Sequence, residues 1–237
     1  MWHPVLLLSF GYLKLIPNAL LLWTMSYGMP LFSVISTMIA INGDYKNGFF
    51  EIEKAGGVKP ICYLSGRLAA IFTVNLAVLV LTSYTAVYTY CFTRGLADMT
   101  TLELLSDSIP RVFRQILICE LPVVLFYIGL SCAVAALFKN GTFSVMLCAA
   151  YIVIMYSFRR SLSFSLGSNL FSRYFWPHKF YAYQYVNLYD TEYVNEPQLY
   201  GYMPYPIREV AMWATVFVLL AMILYTVCYI CTRKRSI

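Results

Sequence analysis

Long apolar stretches alternate with polar segments along this chain. Five of them stand out, at residues 17–41, 68–92, 116–138, 142–158 and 211–231. A helix needs about 20 apolar residues to cross a hydrocarbon core of roughly 30 Å, because lipid offers its backbone no hydrogen-bond partners. The pattern therefore predicts an all-α integral membrane protein with five to six transmembrane helices, forming one transmembrane domain over residues 1–237.

A short apolar segment precedes the first of these stretches. Lys14 interrupts it, and a lysine at mid-membrane costs about 2.5 to 3.5 kcal/mol on insertion scales. We expect an interfacial element or a reduced sixth span here. A cleavable signal peptide is not expected, because the apolar run continues through Lys14 and Pro17 into the first full span.

Composition agrees with the membrane prediction. Hydrophobic residues make up 60% of the 237 positions and charged residues 12%, which leaves too little polar surface for a soluble globule. We attribute the net charge of +6 to membrane topology and not to nucleic-acid binding. Basic residues next to span ends, Lys139, Arg233, Lys234 and Arg235, favour a cytoplasmic C-terminus in a multi-pass plasma-membrane protein, and we expect a bacterial one.

The segment over residues 159–210 is then extracellular, and it is unusually rich in tyrosine. Tyr and Trp favour the interface between water and lipid, where the ring is buried and the polar end stays hydrated. One interpretation is an interfacial cap or re-entrant hairpin packed on the helix ends. The other is an outer gate, whose candidate residues are Tyr181, Tyr185 and Tyr189.

A charged, glycine-marked segment over residues 42–60 separates the first two spans. Its apolar residues alternate with charged ones, which predicts a short amphipathic helix that lies at the cytoplasmic interface or docks into a partner's groove. A double glycine then redirects the chain toward the second span, and basic residues follow. The positions concerned are Phe49, Phe50, Ile52, Glu51, Glu53, Lys54, Gly56, Gly57, Lys59 and Arg67.

Polar residues inside the apolar stretches are candidates for a translocation path. Asn75, Thr82 and Thr89 recur every seven residues and form one stripe, which ordinary packing between membrane helices would also explain. A second set, Glu120, Tyr127 and Ser131, shares a helical face. An intramembrane carboxylate usually faces a protein interior or a cavity. Glu120 could equally lie among the outer headgroups and pair with Arg114 or Arg111.

This layout resembles the permease subunit of type-2 ATP-binding-cassette exporters. In that family a span is followed by an acidic helix, a glycine, a basic stretch and the next span. The matching positions are Glu51, Glu53, Gly56, Gly57, Lys59 and Arg67. The resemblance implies that the helix couples to separate ATPase subunits, which bind ATP and Mg²⁺, and that a second permease subunit completes a homo- or heterodimer in the bilayer.

The resemblance further implies export by alternating access of a hydrophobic or amphipathic substrate, such as a peptide, lipid or antibiotic. The family usually has six spans, with one more before the segment we number first. No phosphate-binding GxxxxGK[ST] loop occurs in the sequence, so we expect no ATPase site and no cofactor in this chain.

Other functions remain as alternatives. A non-transporting sensor or immunity subunit would have a similar sequence. A membrane enzyme is less favoured, because His3 and His178 are the only histidines and lie far apart in the chain. The seven cysteines do not suggest a disulfide framework, and a single CxxC, Cys228 and Cys231, lacks the second pair that a zinc site needs.

Overall fold

The structure is a computed structural model that describes residues 28–48, 52, 55–98, 109–110, 113–114, 116–138, 140–165 and 207–235. Every regular element in these ranges is helical, which confirms the all-α prediction for this part of the chain. The helices are α1 Met29–Lys46, α2 Pro60–Asp98, α3 Leu121–Phe138, α4 Gly141–Ser165 and α5 Ile207–Arg235, and a π-helix, Ile116–Glu120, leads directly into α3.

Three helical segments are long and apolar enough to cross a membrane: Pro60–Thr85, Ile116–Phe138 and Val210–Arg233. They correspond to the predicted second, third and fifth spans. The apolar part of α4, Gly141–Ile154, is shorter than a full crossing. Of the predicted first span, the structure describes the part from residue 28 onward, within α1. The described chain thus has the helices of a membrane protein.

Several helices extend beyond the predicted spans. α1 continues past residue 41 to Lys46, α2 begins at Pro60 instead of residue 68, and α4 continues past residue 158 to Ser165. A helix satisfies its own backbone hydrogen bonds in water as well as in lipid, so the end of an apolar stretch need not end the helix. The predicted coupling segment, residues 42–60, therefore begins as the last turn of α1.

Two glycines in this connection lie where helical segments end. Gly48 has φ 66°, directly after the Asn47 cap of α1, and Gly57 has φ 78°. Both values lie in the left-handed region, which glycine adopts without steric cost and which commonly ends helices. Between them the N–H of Ile52 donates to the Gly48 carbonyl, and the N–H of Gly56 donates to the Ile52 carbonyl. The described residues of the connection thus include helical hydrogen bonds.

The π-helix has a local cause in the sequence. Pro122 follows it in the first turn of α3 and supplies no backbone N–H, so the regular α-helical ladder is interrupted at this point. A π-helix accommodates such an interruption by shifting its hydrogen bonds by one residue, and it is frequent at functional sites. Glu120 is its last residue.

α3 lies at the centre of the described helices. Its span is 72% buried, against 22% for α2 and 17% for α5, so α3 packs against other helices on most sides while α2 and α5 present apolar faces outward. α5 runs parallel to it: the rings of Phe126 and Phe217 are 5.4 Å apart, and further along both helices Gly129 lies against Ala221 and Leu224. The approach is close at Gly129.

α1 and α2 are antiparallel, and contacts between their ends organise one side of the bundle. Asp44 near the end of α1 pairs with Arg67 near the start of α2. The first residue of α4, Gly141, lies against the side chain of Asn42 in α1. The ends of α1, α3 and α5 therefore lie together with the starts of α2 and α4, and we call this side the junction end.

Candidate functional site

α2 carries three inward-facing polar side chains at intervals of eight residues: Arg67, Asn75 and Ser83. Eight residues of α-helix rise about 12 Å. Each of the three contacts a polar residue of another helical element, so α2 connects three polar clusters in a mostly apolar bundle. We call them the junction cluster, the middle cluster and the far cluster, in the order in which α2 passes them.

The junction cluster consists of Asp44, Tyr63 and Arg67. The Arg67 guanidinium donates from Nε to Asp44 Oδ2 over 2.5 Å and from Nη2 to Asp44 Oδ1, and the Tyr63 hydroxyl also donates to Oδ2. The Asp44 side chain is only 7% exposed, whereas that of Arg67 is 40% exposed. Two parallel bonds between a guanidinium and a carboxylate fix geometry as well as charge. The cluster therefore ties α1 to α2 at the base of the 42–60 connection.

The middle cluster joins Asn75 to two serines of α1. Ser33 Oγ donates to Asn75 Oδ1 over 2.9 Å, and Asn75 Nδ2 donates to Ser36 Oγ over 3.0 Å and to the Ile71 carbonyl over 2.8 Å. Asn75 and Ser33 are fully buried. Hydrogen bonds of this kind hold membrane helices together where apolar contact alone is not selective. The neighbouring Thr37 Oγ1 is buried and has no hydrogen-bond partner among the described residues.

The far cluster contains the buried carboxyl group of Glu120. Its Oε2 accepts a hydrogen bond from Ser83 Oγ over 3.1 Å, and its Oε1 has no hydrogen-bond partner among the described residues. Glu120 is 5% exposed and lies within the apolar segment Ile116–Phe138. Within the described residues it forms no ion pair, and the cavity-facing and headgroup-facing alternatives both stay predictions beside this contact with α2.

Two other residues of the predicted translocation path, Thr82 and Thr89, are not part of the three clusters. Thr82 donates its hydroxyl to carbonyls of its own helix, at Val78 over 2.8 Å and at Leu79 over 3.0 Å. The Thr89 side chain is outside the described residues. Thr82 and Asn75 thus differ in their contacts, although the sequence stripe grouped them.

Tyr127 and Ser131 are buried in the interior of the described bundle. The Tyr127 ring packs edge-on against Phe126 and Tyr151, at centroid distances of 5.3 and 6.2 Å. The Ser131 hydroxyl donates to the Tyr127 carbonyl over 2.7 Å. These contacts place both residues in helix packing within this chain, between α3 and α4.

The predicted coupling residues are described in part. Gly56, Gly57 and Lys59 are exposed in the connection before α2. Arg67 belongs to the junction cluster. The following predicted residues lie outside the described residues: Phe49, Phe50, Glu51, Glu53, Lys54 and the three tyrosines of the proposed gate, Tyr181, Tyr185 and Tyr189.

Sequence reasoning missed the partners in each cluster: Asp44, Tyr63, Ser33, Ser36 and Ser83. One signal was available for Asp44. It follows the first apolar stretch by three residues, and Arg67 directly precedes the second, so an antiparallel helix pair brings the two charges to the same level. The serines gave no such signal, because their neighbours depend on how each helix is rotated.

The cysteines are free thiols in the described part of the chain. Cys228 is buried and Cys231 is half-buried, and the side chain that Cys228 contacts on α3 is Cys132. The described residues contain no group of three or more His, Cys, Asp or Glu side chains placed to hold a metal ion.

The three clusters share one helix, α2, and each connects it to a different point of the bundle. Their chemistry is that of an ion pair, an amide network and a buried carboxyl group. Comparisons with protein-family models, with curated proteins and with solved structures find no match for this chain.

Proposed function

We propose that this chain is the membrane-spanning permease subunit of an ATP-driven exporter of the type-2 ATP-binding-cassette kind. Separate ATPase subunits bind ATP and Mg²⁺, and a second permease subunit completes the transporter. The substrate is hydrophobic or amphipathic and moves by alternating access. The proposed location is a bacterial plasma membrane, with the C-terminus in the cytoplasm.

The observation that carries the proposal is the junction cluster at the base of the 42–60 connection. Asp44 and Arg67 tie the two helices that flank this connection, and a third contact comes from Tyr63. Force applied to the connection therefore acts on α1 and α2 as a pair. An energy-coupling element needs such a stiff base, because a loose loop would absorb the movement of its partner.

The position of the connection supports the same role. It emerges at the junction end, where α4 starts at Gly141 and where the basic end of α5 lies, with Arg233 exposed. Basic residues next to a span end favour the cytoplasmic side, which is the side on which ATP is hydrolysed. The connection also exposes Gly56, Gly57 and Lys59, which leaves its surface available to a partner.

Purification of the native complex tests the proposal. The tagged chain is extracted in mild detergent from its own host, and the proteins bound to it are identified. We expect an ATPase with a phosphate-binding loop, and ATP hydrolysis in the purified complex. A chain that purifies without any nucleotide-hydrolysing protein, and that shows activity of its own without ATP, would instead support the membrane-enzyme alternative.

Charge reversal separates coupling from assembly. Glu51→Lys with Glu53→Lys should lower ATP turnover of the complex or release the ATPase. The matched control reverses the charge of two acidic residues in the 159–210 segment, Asp190→Lys with Glu192→Lys. It should leave ATP turnover unchanged. Equal effects of the two pairs would argue against a specific coupling surface in the 42–60 connection.

A further inference from the structure

The far cluster contains the carboxyl group of Glu120, which forms no ion pair with another described residue. Glu120 is 5% exposed, its Oε2 accepts one hydrogen bond from Ser83, and its Oε1 has no partner among the described residues. An ionised carboxylate transferred into an apolar medium without a partner is very costly, and such groups usually become neutral instead. The geometry therefore raises the question of what neutralises Glu120.

The described residues packed against the π-helix include few charged or titratable groups. From α2 come Ser83, which is neutral, and the half-buried Tyr84 beside it. The π-helix itself adds the buried thiol of Cys119. Arg114 lies near enough to act electrostatically on Cys119, and the hydrogen bond described for the Glu120 carboxyl group comes from Ser83.

At this level the buried described residues of α3 and α5 are apolar. α3 continues from Glu120 with Pro122, Val123 and Val124, all buried. The parallel register of α5 brings its first turns to the same level, where Val210 and Trp213 are buried and Arg208 is exposed. Within the described residues, Glu120 therefore has a single polar neighbour in contact, the Ser83 hydroxyl.

The closed surroundings limit what can bind. A metal ion would need several further oxygen ligands, and an organic cation would need open space beside the carboxyl group. The described residues provide one hydroxyl and a site that is nearly sealed. A proton needs neither additional ligands nor space.

We propose that Glu120 is a proton-binding site, and that it holds its proton in the closed conformation seen here. The proton comes from water and converts the carboxylate to the neutral acid. The acid O–H can then donate to Ser83 Oγ across the same 3.1 Å contact in which the serine hydroxyl donates to the ionised form. A movement that separates α2 from the π-helix would expose the group to water and release the proton. This inference does not depend on the ATP-driven role proposed above.

Carbodiimide labelling of the full chain in detergent tests the proposal. Dicyclohexylcarbodiimide is apolar and reacts with protonated carboxyl groups in apolar surroundings. The acid proton passes to a carbodiimide nitrogen while the carboxyl oxygen bonds to the central carbon, and rearrangement leaves a stable acylurea. We expect one adduct on the peptide that contains Glu120, complete loss of that adduct in Glu120→Gln, and decreasing labelling as the pH is raised.

Two comparisons make the result specific. Asp44 is as deeply buried but is paired with Arg67, so it should remain unlabelled in the same sample. A water-soluble carbodiimide should modify exposed carboxyl groups and leave Glu120 unmodified. In Ser83→Ala, the pH at which half of the labelling is lost should move upward, because the ionised form loses its donor.

The proposal is overturned if the wild-type chain, folded by gel filtration, carries no adduct on Glu120 with the apolar reagent. It is also overturned if both reagents label Glu120 equally, since the group would then be exposed to water. Both decisive measurements use the unmodified chain, so they remain valid even if a substituted variant fails to fold.

Discussion

Single side chains decide how the apolar helices of this protein recognise one another. Arg67 is the clearest case, because its two bonds to Asp44 require both the charge and the planar fork of a guanidinium. Asn75 acts similarly without charge, since its amide both accepts from Ser33 and donates to Ser36. At this scale, polarity supplies the selectivity that apolar surface lacks.

We predict that Arg67→Ala lowers the free energy of unfolding by about 1 to 3 kcal/mol, because it leaves the buried Asp44 carboxylate with Tyr63 alone. This predicted loss of stability is smaller than the loss expected on breaking a fully buried ion pair, because 40% of the Arg67 side chain is exposed and screened by water. Arg67→Lys should recover only part of the loss, because it keeps the charge but not the fork. Thermal unfolding in detergent measures the effect.

The control for this prediction is Lys59→Ala, which removes an exposed basic residue of the 42–60 connection. Surface substitutions usually change stability by less than about 0.5 kcal/mol. If Lys59→Ala and Arg67→Ala shift the unfolding temperature equally, the junction cluster contributes nothing beyond a surface charge.

At the scale of the helices, the sequence predicted which segments are apolar helices but not where they end or how they face each other. The spans around residues 68–92, 116–138 and 211–231 could be predicted because lipid demands long apolar runs. The ends could not, since a helix continues into water. The rotation of α2, which turns Ser83 and not Thr82 toward another helix, depends on packing partners that a single sequence does not reveal.

The close approach of α3 and α5 yields a second prediction. A Cβ atom added at Gly129 would lie 3.3 Å from the Ala221 carbonyl oxygen and from Leu224 Cβ, so a large side chain cannot fit without moving α5. We expect Gly129→Leu to destabilise the protein by about 1 to 3 kcal/mol, as overpacking does in other cores. Thermal unfolding in detergent again provides the measurement.

A matched substitution exists on α2. A Cβ at Gly66 meets nothing within 4 Å, so Gly66→Leu should be neutral or slightly stabilising, because glycine is a poor helix former. A loss of stability at Gly66 equal to that at Gly129 would mean that glycine flexibility, and not close packing, is what both positions require.

At the scale of the whole molecule, the helix termini gather at two opposite ends of the described bundle. The starts of α2 and α4 and the ends of α1, α3 and α5 share the junction end, whereas Glu120 and the start of α5 lie toward the other. Arg233 lies at the junction end, and basic residues next to a span end favour the cytoplasmic side.

Cysteine labelling tests the sidedness of the two ends. Cys62 is exposed at the start of α2, on the junction side, and offers a native reporter. We predict that a membrane-impermeant maleimide reaches Cys62 only after the cells are permeabilised, because the proposed orientation places this end in the cytoplasm. Arg208→Cys at the start of α5, placed in a chain with Cys62→Ser and Cys91→Ser, should instead be labelled in intact cells.

The same double-serine chain without Arg208→Cys gives the background signal. Labelling of both positions from one side would contradict the assignment of the starts of α2 and α5 to opposite ends of the bundle. Labelling of Cys62 in intact cells would reverse the orientation and place the 42–60 connection outside, away from any nucleotide.

α2 is also longer than the membrane it crosses. Its 39 residues measure about 58 Å, against a hydrocarbon core of roughly 30 Å, so nearly half of this rod stands in headgroups and water. If such a helix tilts as a rigid body about a point inside the membrane, a sideways displacement of one end moves the other end in the opposite direction. Asn75 lies near the middle of the apolar part Pro60–Thr85 and is hydrogen-bonded to α1, so a tilt of α2 about this level would carry a displacement from one face of the membrane to the other.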